Sequence, residues 1–186
     1  MESVWTINSL NSKFNTMKRL VNAFLISAFL MALSLSVQAQ VSATATASAT
    51  IVTPIAIANN TDMDFGNVAV SATPGTVVLD PAGARTVTGG VTLPAVTATV
   101  TAASFDVTGT ANFTYSISLP GAATTITSGG NTMTVDTWTS TPTPTGTLDG
   151  TGAQTLSVGA TLNVAAGQAS GTYISGTPFT VTVNYN

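Results

Sequence analysis

The sequence predicts an all-β, antiparallel sandwich or barrel, and three observations carry the prediction. Apolar residues recur with period two along most of residues 41–186, the spacing at which alternate side chains of a strand share one face. Breaks bearing glycine and proline separate these runs at short intervals, as antiparallel strands joined by tight turns require. No stretch with the 3.6-residue helical period follows residue 39.

The start of the chain reads differently. Residues 1–16 look like an upstream extension, and residues 17–39, MKRLVNAFLISAFLMALSLSVQA, have the three parts of a secretory signal peptide. These are the basic pair Lys18 and Arg19, an apolar stretch from Leu20 to about Leu35, and the small residues flanking Gln38 in Val37-Gln38-Ala39. A membrane-spanning helix needs about 20 predominantly apolar residues, and Asn22, Ser27, Ser34 and Ser36 interrupt this one. The expectation is export with cleavage after Ala39 and no integral membrane anchor afterwards.

Residues 40–52 form either an N-terminal extension or a first strand. Val41, Ala43, Ala45, Ala47, Ala49 and Ile51 alternate with Ser42, Thr44, Thr46, Ser48 and Thr50, so one face is apolar and the other carries hydroxyls. Alanine buries little area, since each buried CH₂ is worth only about 0.8 kcal/mol. Two readings stand: a thin first strand or flexible leader, and a donor strand lent to a neighbouring subunit.

Residues 53–186 carry the sandwich domain. Strand signals follow at Ile55 and Ile57, Val68 and Val70, Val77 and Leu79, and Val96, Ala98 and Val100. They continue at Phe113, Tyr115, Ile117 and Leu119, then Met133 and Val135, Leu156 and Val158, and Leu162 and Val164. Turn signals separate them at Pro74-Gly75, residues 81–83, Gly89-Gly90, Pro120-Gly121, Gly129-Gly130, residues 142–146 and residues 150–152. The last strand places Phe179, Val181, Val183 and Tyr185 on one face and runs to the end of the sequence. Chain ends fray unless a neighbour holds them, so this strand is expected to pair at a sheet edge.

Charge narrows the function. From Gln40 onward there are six aspartates (Asp62, Asp64, Asp80, Asp106, Asp136 and Asp149), one cation (Arg85), and no Lys, His, Cys or Glu. Without a basic patch the domain has nothing to neutralise phosphates, which argues against nucleic acid and anionic membranes as partners. Without His, Cys, Lys or Glu, acid–base and nucleophilic chemistry lack their usual carriers, so the expectation is no enzyme and no cofactor. Sheet edges in monomeric β proteins are commonly blunted by charges, lysine above all. Here that protection is scarce, and pairing with like subunits is the physical alternative.

Three polar or aromatic features merit a reading of their own. Asp62 and Asp64 share a strand face, and the oxygen-rich stretch NNTDMD raises calcium; solvated carboxylates opposite inward Met63 and Phe65 are the simpler account. Arg85 is expected to anchor a loop by pairing with an aspartate. Trp138 falls, by strict alternation, on the polar face with Thr132, Thr134 and Asp136, where it would offer a sugar platform or subunit contact unless a loop covers it.

Five segments carry a family resemblance: ATIVTPIAIAN, MDFGNV, GGNTMTVDTWTSTPTPTGTL, QTLSVGATLNVAAGQASGTY and FTVTVNYN. Together they resemble the exported bacterial family catalogued as domain of unknown function 4402. The ending AAGQASGTYISGTPFTVTVNYN, with Gly171-Thr172-Tyr173 before a final strand and Tyr185 penultimate, is similar to that of chaperone-usher fimbrial subunits and of the spore coat protein U domain. Phe65 and Gly66 match an early strand of those proteins. The resemblance implies an immunoglobulin-like, pilin-like antiparallel β-sandwich lacking one strand, which a periplasmic chaperone and then the next subunit's N-terminal extension would supply. It also implies that Phe179, Val181, Val183 and Tyr185 form a groove and edge strand. This chain has no cysteine for the disulfide that such subunits often carry, and its donor candidate is alanine-rich. The leading expectation is therefore an exported structural subunit of a surface fibre or coat. The alternative is a self-contained extracellular module binding a glycan or protein.

Overall fold

The computed structural model describes residues 2–32, 40–96 and 98–186. The chain divides into two compact units, Met1–Ala49 and Thr50–Asn186. The first contains α1 (Glu2–Ala32), which runs through the upstream extension and into the segment read as a signal peptide. Apolar side chains on α1, including Phe14, Leu20, Phe24 and Phe29, are exposed. No helix among the described residues is long and apolar enough to cross a membrane. The expected cleavage site at Val37-Gln38-Ala39 lies outside the described residues. Residues 40–55 have no regular secondary structure, and Val41 and Ile51 are 93% and 97% exposed. The alanine-rich stretch therefore pairs with no strand among the described residues.

The second unit is all-β. Its strands are β1 (Ala56–Thr61), β2 (Ala69–Leu79), β3 (Arg85–Thr92), β4 (Ala103–Thr108), β5 (Thr114–Ser118) and β6 (Thr124–Ser128). They continue with β7 (Asn131–Thr141), β8 (Thr145–Thr147), β9 (Ala153–Val164), β10 (Ile174–Ser175) and β11 (Thr182–Tyr185). Every pairing is antiparallel. One sheet has eight strands, following β1-β4-β9-β7-β6-β10 with β2 also on β9 and β3 on β2. The other has three, in the order β11-β5-β8.

Strand β9 explains how the sheets meet. Leu156, Val158, Ala160, Leu162 and Val164 all point inward, and along its length β9 pairs with β4, β2 and β7. Its first half, Leu156 and Val158, packs with Ala103, Val107, Tyr115, Leu148, Val181 and Val183, the core shared by the two sheets. Its second half, Ala160, Leu162 and Val164, packs with Val77, Val91 and Val135, all from the large sheet. The small sheet thus covers only part of the large one. Burying one Leu or Val side chain contributes about 1.5–3 kcal/mol, so the first cluster holds the two sheets together and the second holds the large sheet to the segment bearing Met63, Phe65 and Val68.

Several turn and strand expectations are corrected. Pro74-Gly75 and Gly89-Gly90 lie inside the β2–β3 ladder, where the pairing jumps from Val70↔Val91 to Gly75↔Gly89. Residues 71–74 bulge against a single Gly90, so glycine and proline here mark a bulge within strands. A Cβ on Gly75 would collide with the Thr88 carbonyl, which is why the crossing needs glycine. Val96, Ala98 and Val100 lie outside any strand, with Val96 79% exposed. The turn at residues 81–83 closes as expected: Asp80 Oδ1 accepts from the Ala82 and Ala84 amides at 2.9 and 2.8 Å.

Candidate functional site

The part of the large sheet without a facing strand forms the wall of a groove of about 1270 Å³. Met63, Phe65 and Val68 approach from the segment between β1 and β2, and Ile126, Met133 and Val135 come from β6 and β7. Leu162 and Val164 come from β9, and residues 168–175 pass along the rim after it. Asp62 and Asp64 are the only charged lining side chains among the described residues. Pockets that bury a drug-sized ligand measure about 300–1,000 Å³, so this open groove is larger than one such ligand would fill.

Trp138 and Phe179 sit at the junction between the covered and uncovered halves. Their rings lie 4.5 Å apart, Phe105 meets Phe179 edge-on at 6.3 Å, and Trp138 Nε1 donates to the Ala122 carbonyl at 3.4 Å. Trp138 packs on both core clusters. This overturns the expected polar-face position. Strand β7 shifts register against β9 between Asp136 and Thr139, and Thr137 takes φ 51°, so one extra residue switches the inward side from Met133 and Val135 to Trp138 and Ser140. Alternation is right on each side of Thr137 and wrong across it.

The C-terminal edge-strand candidates fall where alternation placed them. Val181 and Val183 are 7% exposed, Phe179 and Tyr185 are partly buried, and the residues between them face solvent. The regular strand is shorter than expected, starting at Thr182, and it pairs with β5 from Thr182↔Ser118 to Tyr185↔Tyr115. As the terminal member of β11-β5-β8, β11 pairs on one side only. Tyr173 does not open a long strand: β10 has two residues, and the Tyr173 hydroxyl donates to the Ala169 carbonyl at 2.8 Å and accepts from Gln168 Nε2. The donor candidates Val41, Ala43, Ala45, Ala47, Ala49 and Ile51 are all exposed.

Arg85 anchors a loop, but by another route than an aspartate. Its Nη1 donates to the carbonyls of Phe65 and Asn67, fixing the turn at Gly66, which has φ 65°. A Cβ at Gly66 would lie 2.8 Å from Val100 and 3.1 Å from Arg85 Nη1, so both turn and packing call for glycine. The nearby carboxylates are held locally: Asp62 Oδ1 accepts from Asn59 at 2.7 Å and Asp64 Oδ1 from the Gly66 amide at 2.7 Å. No group of three potential metal-ligating side chains occurs among the described residues.

No curated protein and no solved structure matches this chain. The family profile described as a domain of unknown function (DUF4402) matches residues 55–185, which takes in every strand and the whole groove, and the chain belongs to that family.

Proposed function

We propose that the protein is an exported structural subunit of a bacterial surface fibre or coat, joined to like subunits by strand donation and without catalysis. The uncovered apolar wall of the large sheet carries this reading: a strand laid in it would complete the second layer. Residues 40–52 contain no charged side chain, and residues 41–51 present one alternating apolar face, so they match a groove whose charged lining among the described residues is Asp62 and Asp64. Small alanines suit a floor already filled by Trp138, Phe179, Met133 and Phe65. The resemblance to fimbrial subunits points the same way, with a periplasmic chaperone holding the groove or β11 edge before assembly at the cell surface.

The test compares residues 40–186 with residues 53–186 by size-exclusion chromatography and negative-stain microscopy. Strand donation requires fibres or heat-resistant ladders from the longer form and monomers from the shorter. Ala45→Asp with Ala47→Asp is expected to abolish assembly while leaving the thermal midpoint of the monomer unchanged, because both side chains are exposed. Trp138 is the sole tryptophan after Gln40 and lines the groove, so assembly should shift its emission to the blue. Folded monomers from both lengths would instead favour an extracellular binding module whose groove takes an apolar ligand, the second reading that the groove's size supports.

A further inference from the structure

We propose that Tyr185 is a positioning residue: its hydroxyl latches the root of the N-terminal leader at Thr53, at the end of the sandwich away from the groove. Its role in assembly rests on the strand-donation reading, whereas the latch stands on the geometry of the domain. The Tyr185 hydroxyl donates to the Thr53 carbonyl at 2.8 Å and accepts from the Thr110 amide at 2.6 Å. Thr110 Oγ1 donates to the same carbonyl at 3.2 Å, using its second lone pair. The ring is held edge-on by Phe113 at 5.5 Å. Gly109 makes the approach possible, since a Cβ there would collide with the hydroxyl.

The pairing of β1 fixes the direction. Ala56 faces Thr108 at the latch end, and Thr61 faces Ser104 at the other. Groove residues Asp62, Met63 and Phe65 follow Thr61, while the latch precedes Ala56. At about 3.3 Å per residue the intervening strand spans roughly 20 Å. An extended continuation of β1 before Thr53 runs away from the subunit's own groove. A donor rooted there meets a second copy through a heterologous contact, which repeats head to tail and builds an open filament wherever the rotation per subunit does not close a ring.

Both core clusters lie within Thr50–Asn186, so the form starting at Gln40 retains the folded unit. Tyr185→Phe removes one hydroxyl and keeps the ring on Phe113. The chain has no cysteine, so nitroxides at V52C and V78C, both solvent-accessible sites outside the groove lining, are unique labels. Relative to the tyrosine form, Y185F is expected to speed hydrogen exchange at the Thr110 amide about tenfold, broaden the distance distribution between the labels, and slow assembly. Unchanged exchange and an unchanged distribution would overturn the latch. A broadened distribution with an unchanged assembly rate would overturn its positioning role while leaving strand donation intact. Failure of the unsubstituted form to assemble, with the exchange and distance changes present, would reject donation and retain the latch.

Discussion

Asp149 shows how much one carboxylate decides in a segment, from Gln40 onward, that has no lysine or glutamate. Its Oδ1 accepts from the Thr151 hydroxyl at 2.7 Å and from the Thr151 and Ala153 amides at 2.8 and 3.0 Å, closing the turn into β9. These hydrogen bonds, the Thr151 hydroxyl first, hold its pKa below the ordinary carboxylate value. A depressed folded pKa stabilises above the unfolded value and loses that contribution as pH falls through the folded one. Asp149→Asn is therefore expected to lower the urea midpoint at pH 7, and the gap to the parent should close below about pH 4. Tyr115 gives a second test. Its buried hydroxyl, with a pKa pushed up by burial, donates to Gln154 Oε1 at 2.7 Å, and its ring lies where a Cβ on Gly146 would sit. Gly146→Ala should cost about 1–3 kcal/mol as overpacking, measured by denaturant unfolding.

At the scale of the element, the bulge in β7 is the most consequential local feature. Thr137 at φ 51° is unusual for a β-branched residue, and it turns Trp138 from the solvent side to the core. Deleting Thr137 leaves Trp138 directly after Asp136, so simple alternation alone should keep the ring on the core face beside Phe179. The expected readout is an unchanged tryptophan emission, with the residue of positive φ removed. A red-shifted emission would show that the bulge itself, and not alternation, places the ring. Most strands were legible because hydrophobic period two survives within each of them. The bulges were illegible for opposite reasons: Pro74-Gly75 and Gly89-Gly90 look like turns but sit in a ladder, and Thr137 has no turn-forming character at all.

For the whole molecule, the strand-donation proposal predicts one-ended termination of fibre growth. A subunit carrying A45D and A47D keeps its groove and loses its donor, so it should cap growing fibres at one end. Added at a small fraction of the total, it is expected to shorten fibres in proportion to its amount, measured as length distributions by negative-stain microscopy. Lengths independent of the added fraction would contradict a head-to-tail contact. Raising the salt concentration should change such assembly little, because the proposed donor, residues 41–51, is uncharged and the groove's charges among the described residues are two exposed aspartates.

The sequence by itself determined the all-β class, the inward face of the last strand, the exposed Asp62 and Asp64 opposite inward Met63 and Phe65, and the family. These depend on alternation and on short motifs, which are local properties of the chain. Only the tertiary structure decided that β9 is one continuous strand spanning covered and uncovered halves, that Trp138 joins the core, that Arg85 holds carbonyls, and that Tyr185 reaches Thr53. The groove belongs to the same group, since it arises from a three-stranded sheet facing an eight-stranded one. Such features depend on which strands meet across long sequence separations, and period two carries no information about partners.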